Sequence, residues 1–139
     1  MSNTSAAPQG APGDIFNWPM LKIQYRTDPD KIAALLPPGI TAGAKPNVNL
    51  TIYNFPVPDE PEYGIVTSVD ANFDGIAGEF TLGYGIDQES AIFVSQETNG
   101  QPKYPCTTEF YRLGPQVKAR CIHQGYTFVE FHGASTGPS

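Results

Sequence analysis

Residues 47–55 read Asn-Val-Asn-Leu-Thr-Ile-Tyr-Asn-Phe. Val48, Leu50 and Ile52 fall on one side of an extended chain, and Asn49, Thr51 and Tyr53 fall on the other. Successive side chains of a strand point to opposite faces, so this period of two specifies a β-strand. The same pattern recurs on both sides of it. Residues 20–25 alternate Leu21, Ile23 and Tyr25 against Lys22 and Gln24. Residues 63–73 are rich in Ile, Val, Thr and Phe, and Asp74-Gly75 is a hairpin-turn signal before a return strand over 78–86. Three more strands are expected at 107–113, 116–122 and 126–132, with turns at Leu113-Gly114-Pro115 and Gln124-Gly125.

Two short helices interrupt the strands. Asp28 is a good N-cap and Pro29 suits the first helical position, where no N–H is needed. Ile32, Leu35 and Leu36 give that helix an apolar side, and Pro37-Pro38-Gly39 ends it. The second is expected over 88–98, capped by Asp87 and closed by Gly100, with Ala91, Ile92, Val94 and Ser95 buried. Residues 56–62 read as a rigid acidic loop and Pro102–Pro105 as a constrained one. The expected class is mainly β with two short helices, an antiparallel α+β fold.

A chain of 139 residues fits one domain, and 14 Gly with 14 Pro argue against a long-helix bundle. The net charge of −6 comes without a basic run, which disfavours nucleic acid as a partner. No apolar run approaches the ~20 residues of a membrane span. Residues 1–13 have neither a basic start nor an apolar centre, so they read as a flexible arm and not as a secretory signal. The domain is expected over 14–132, with a flexible tail over 133–139. Two cysteines make no disulfide framework, which points to a reducing, cytoplasmic setting.

Lysine is scarce, and one of the five differs from the rest. Lys103 follows the second helix and stands between Pro102 and Pro105, which restrict the backbone and hold the side chain in place. That suits a nucleophilic amine; from spacing alone, an exposed loop lysine is the simpler reading. Cys121 and His123 point the same way on a strand, and Cys106 could join them in space. Neither Cys-x-x-Cys nor His-x-x-x-His spacing is present, so packing explains them better than a metal site. No Gly-x-Ser-x-Gly elbow exists, and Gly83-Tyr84-Gly85 lacks the strand–loop–helix setting of a phosphate site. Asp59, Glu60 and Glu62 read as a solvated loop. Glu97, at a helix C-terminus, opposes the helix dipole and invites a functional reason.

The order of segments carries more than any one of them. Tyr25-Arg26-Thr27-Asp28 leads into a helix and Leu36-Pro37-Pro38-Gly39. Gly75-Ile76-Ala77-Gly78-Glu79-Phe80 follows, then Asp87, Ala91-Ile92, Glu97, Gly100 and Pro102-Lys103. Over most of residues 14–132 this series resembles the acetoacetate decarboxylase family. The resemblance implies a β-barrel-like fold, here incomplete, because family members continue well beyond the strand at 126–132. It implies Schiff-base chemistry on a small β-keto acid or related carbonyl compound, with loss of carbon dioxide and without metal or cofactor. Lys103 would be the nucleophile, and Glu97 and Glu62 would orient groups or exchange protons.

The sequence departs from the family pattern around that lysine. Tyr104 stands where a second lysine follows the nucleophile, Trp18 and Gln96 where the family has arginines, and Gly64 where it has a glutamate. Trp18, Tyr104 and Gln96 would then contact the substrate. Two other readings are a non-catalytic relative that binds a small ligand, and a truncated chain without independent activity. The open sheet edges of an incomplete barrel would favour a homo-oligomer.

Overall fold

The structure, a computed structural model, describes residues 19–55 and 61–137. The expected arm over 1–13 and Trp18 lie outside the described residues, as does most of the acidic loop. In chain order the elements are β1 (Met20–Arg26), α1 (Pro29–Leu35), β2 (Ile40–Ala42), β3 (Asn47–Phe55), β4 (Glu62–Phe73), β5 (Ile76–Ile86), α2 (Glu89–Asn99), β6 (Lys103–Pro105), β7 (Thr107–Leu113), β8 (Gln116–His123) and β9 (Tyr126–Ala134).

The alternating stretch at 47–55 is β3, and it lies between β1 and β4. One sheet runs β1-β3-β4-β5-β6, with β2 paired to β4, and the other runs β7-β8-β9. All pairs are antiparallel except β5 with β6. The architecture is the mainly β, two-helix fold expected, and the two sheets do not close into a barrel. The β4–β5 turn has positive φ at Asp74 (48°) and Gly75 (76°), the backbone that matches the twist of a two-residue hairpin.

The sheets enclose the main core. Val48, Leu50 and Ile52 of β3 and Ile65 and Val69 of β4 belong to one buried cluster with Ala119 and Cys121 of β8. Ile32 of α1 joins it from one end. Asp28 caps α1, accepting from the Asp30 N–H at 2.9 Å. The opposite face of the large sheet is also covered at one end, where Tyr53, Ile86 and Ile92 form a second cluster beneath α2.

Several local expectations are corrected. Asp87 does not cap α2; the N-cap is Gln88, and its side chain makes no capping bond. The Asp87 carboxylate instead accepts from the Tyr63 N–H at 2.9 Å, so the first residues of β4 take it. Val94 is 61% exposed, whereas Ile92 and Ser95 are buried. The constrained loop at 102–105 contains a short strand. Its prolines are tolerated because the Pro102 carbonyl accepts from Tyr84 and the Cys106 N–H donates to Ile86, so no proline N–H is required. Glu62 opens β4 and is buried instead of lying in a solvated loop. Finally, β9 runs to Ala134, past the boundary expected at 132.

Ile52 is fully buried. The Ile52→Ala variant is expected to lose about 2–5 kcal/mol in urea unfolding with an unchanged slope. A loss below about 1 kcal/mol would contradict the two-sheet core.

Candidate active site around Lys103

Lys103 is held by its backbone before its side chain is considered. Its N–H donates to Gln101 O at 2.8 Å, and its carbonyl accepts from Gln96 Nε2 at 2.6 Å. In the parallel pairing it stands beside Tyr84. The half-buried side chain reaches back over β5, and Nζ lies 4.9 Å from the centre of the Tyr84 ring, where an ammonium is attracted by the negative face.

Tyr84 leads inward. Its ring meets that of Tyr53 edge-to-face, with centres 5.9 Å apart and planes at 77°. Tyr53 is 2% exposed, and its hydroxyl donates to Glu62 Oε1 at 2.6 Å. Gly64 makes room for this bond, since a Cβ there would lie 2.5 Å from the Tyr53 hydroxyl. Burial, followed by the hydrogen bond to Glu62, pushes the Tyr53 phenol well above its ordinary value. Glu62, Tyr53, Tyr84 and Lys103 therefore form a connected line on the α2 side of the large sheet.

Other expected site residues are placed differently. Gln96 touches the Lys103 backbone, and Glu97, the next residue on α2, is exposed. Tyr104 turns to the face opposite Lys103, as neighbours on a strand must. Its ring lies against Gly83 and Gly85 and meets His123 edge-to-face at 5.2 Å. Burial pushes its phenol up to about 12. With His123, Gln124, Tyr126 and Phe128 it lines a separate cavity of about 400 Å³.

Cys106 and Cys121 are buried free thiols in the main core, and Thr108 Oγ1 lies 3.8 and 3.9 Å from their sulfurs. His123 Nδ1 is 2.6 Å from Pro105 O. Among the described residues, no three His, Cys, Asp or Glu side chains are grouped to hold a metal.

Tyr53 and Tyr84 are the site residues that sequence reasoning missed. A signal was present for Tyr53, a large aromatic on the polar side of an alternating strand. Such a ring on that side implies that something covers it.

The comparisons agree with this architecture. Residues 2–139 match the acetoacetate decarboxylase family, and the chain belongs to it. It is 34% identical over 108 residues to the acetoacetate decarboxylases of Paraburkholderia phytofirmans and Paraburkholderia xenovorans. Each alignment covers 74% of this chain and 41% of the relative, so the chain spans about two-fifths of their length. Among solved structures, the acetoacetate decarboxylase of Legionella pneumophila superposes with a TM-score of 0.69 at 20% identity, covering 90% of this chain and 54% of that one. The enduracididine biosynthesis enzyme MppR, solved with the condensation product of pyruvate and imidazole 4-carboxaldehyde, gives 0.67 at 18% identity, with 80% of this chain and 51% of that one covered. These two likenesses show a shared fold. Among the described residues, no helix is long and apolar enough to cross a membrane.

The Tyr53–Glu62 bond makes a prediction with two readouts. Tyr53→Phe leaves the buried Glu62 carboxylate without its donor and is expected to cost about 1–3 kcal/mol. The native phenol also keeps its proton where the unfolded one, near pH ~10, begins to lose it. The raised value thus gives stability that is complete below pH ~10 and falls above it, by about 1.4 kcal/mol per pH unit from this one group. Urea unfolding from pH 8 to 11 should show a shallower alkaline decline in Tyr53→Phe than in the parent. Identical slopes would refute the buried, protonated phenol.

Proposed function

We propose that the chain is a lysine enzyme of the acetoacetate decarboxylase type, with Lys103 as the Schiff-base nucleophile and a small β-keto acid or related carbonyl compound as substrate. The observation that carries this reading is the placement of Lys103. Its backbone is held by Gln96 and by the pairing with Tyr84, and its amine stands at the end of a line leading to a buried carboxylate. Family membership supports the same chemistry. Positioning of this kind lowers the entropic cost of bringing amine and carbonyl together.

The neutral form of the Lys103 amine attacks the carbonyl carbon, and the C=O π pair moves to oxygen. Proton transfer and loss of water give an iminium. In a β-keto acid the bond to the carboxylate then breaks, its electron pair flows to the iminium nitrogen, and carbon dioxide leaves behind an enamine. Protonation at carbon and hydrolysis release the ketone and restore the lysine. The iminium is itself the electron sink, so the reaction requires neither metal nor diffusible cofactor.

Glu62 is assigned the proton exchange, through the Tyr53 hydroxyl it already accepts from. Glu97 serves the solvent side, one residue beyond Gln96. Gln96 is a positioning residue, because it acts through the Lys103 backbone. Trp18 is retained as a substrate contact in this reading, whereas Tyr104, on the opposite face of the sheet with His123 and Phe128, does not reach a substrate held at Lys103.

The test is covalent trapping. The protein is incubated with a carbonyl compound and cyanoborohydride, then digested and mapped by mass spectrometry. The expected result is one adduct, on Lys103, absent from Lys103→Met although that variant remains folded. Adducts spread evenly over Lys22, Lys31, Lys45, Lys103 and Lys118 would overturn the assignment.

A further inference from the structure

We propose that the cavity which Tyr104 shares with the β8–β9 hairpin binds a small planar aromatic compound carrying one hydrogen-bond donor, a phenol O–H or a ring N–H. The site is separate from Lys103 and does not depend on that lysine forming an imine.

The cavity lies where β6 of the large sheet faces the hairpin of the other, and four of its five lining side chains, Tyr104, His123, Tyr126 and Phe128, carry rings. Strand geometry puts them there. His123 and Tyr126 are paired directly across the hairpin, so their side chains share one face. Phe128 reaches the same space through a bulge. Cys121 pairs with Val129 and Ile122 with Thr127, which leaves Phe128 as the extra residue of β9. A bulge re-aims the side chain it carries, and the Phe128 ring stands 6.4 Å from that of Tyr104, with the planes at 55°. Tyr104 is fixed from behind, on β5, where a Cβ at Gly85 would lie 3.0 Å from its ring. Tyr126 is 73% exposed and Phe128 36%, so two of the walls are large rings left open to solvent.

His123 supplies the polar half of the site. Its Nδ1 is 2.6 Å from Pro105 O. A carbonyl oxygen only accepts, so in the neutral ring Nδ1 carries the proton and donates it there. That bond holds the ring in one orientation and one tautomer. Nε2, on the side of the ring away from Pro105, is then left with a lone pair that asks for a donor. Burial pushes the Tyr104 phenol up to about 12, so this wall keeps its proton at neutral pH and stays uncharged. An acceptor nitrogen of fixed tautomer beside three aromatic rings selects its ligand by complementarity. A flat ring meets the walls edge-to-face or offset, and a single O–H or N–H on its rim pairs with Nε2. A quaternary ammonium would find the ring faces but brings no donor for the nitrogen.

The experiment is an NMR titration of the 139-residue chain, labelled with carbon-13 in its aromatic rings, with p-cresol and with toluene, which has the same ring and methyl group without the hydroxyl. p-Cresol is expected to shift the His123, Tyr104 and Phe128 signals saturably, with a Kd of about 1 mM, while the exposed His132 stays in place. Toluene should bind at the same signals about three- to tenfold more weakly, the difference one hydrogen bond makes. In His123→Phe, which keeps the wall and removes the acceptor, the two compounds should bind equally, as read from Phe128. Phe128→Ala, at a partly exposed position, should weaken both together, and Lys103→Met should bind p-cresol as the parent does. Equal affinity for the two compounds in the parent, or a preference for p-cresol that survives in His123→Phe, would overturn the proposal. So would tetramethylammonium binding more tightly than p-cresol, or a loss of p-cresol binding in Lys103→Met. No saturable shift at His123 would remove the site altogether.

Discussion

Burial of β3 on both faces is the constraint from which the rest follows. Its apolar side must meet another apolar surface, and the second sheet supplies it. Its other side carries Tyr53, whose ring is too large to leave in water without loss and whose hydroxyl cannot be buried alone. α2 covers the ring and Glu62 accepts from the hydroxyl. Only a residue without a side chain fits beside that bond, and Gly64 occupies the place. A polar pair is thereby fixed inside a sheet face, at the end where the chain returns with Lys103.

The return is controlled by backbone chemistry. α2 ends at Gly100, and three residues later the chain lies along β5 as a parallel strand too short to be stable by itself. Its hydrogen bonds use the Pro102 carbonyl and the Cys106 N–H, which flank the strand, so two prolines cost it nothing. Strand alternation then sends Lys103 to the α2 side and Tyr104 to the side of the thiols and His123. Two residues adjacent in sequence are thus assigned to different surroundings.

Much of this is legible in the sequence. The alternation at 47–55, the Asp74-Gly75 turn and the Asp28 cap are local signals, and local signals act through the residues that carry them. What escaped depended on partners distant in sequence. Asp87 has the right side chain for a cap, but the Tyr63 N–H on β4 holds it. Val94 follows the apolar residues of its helix yet finds nothing to pack against. The edge strands β2 and β6 have three residues each, too few for a pattern to show. Lys103 was visible because two prolines flank it. The Tyr53–Tyr84 link was not, because its members are on β3 and β5 with β4 between them.

The central claim is that this lysine, in this setting, forms an imine. It is tested most directly by NMR of a ketone labelled with carbon-13 at its carbonyl carbon, titrated with the protein. The carbonyl signal is expected to give way to an iminium signal with the parent chain and not with Lys103→Met. A carbonyl signal that never changes, or an iminium that persists in Lys103→Met, would contradict it.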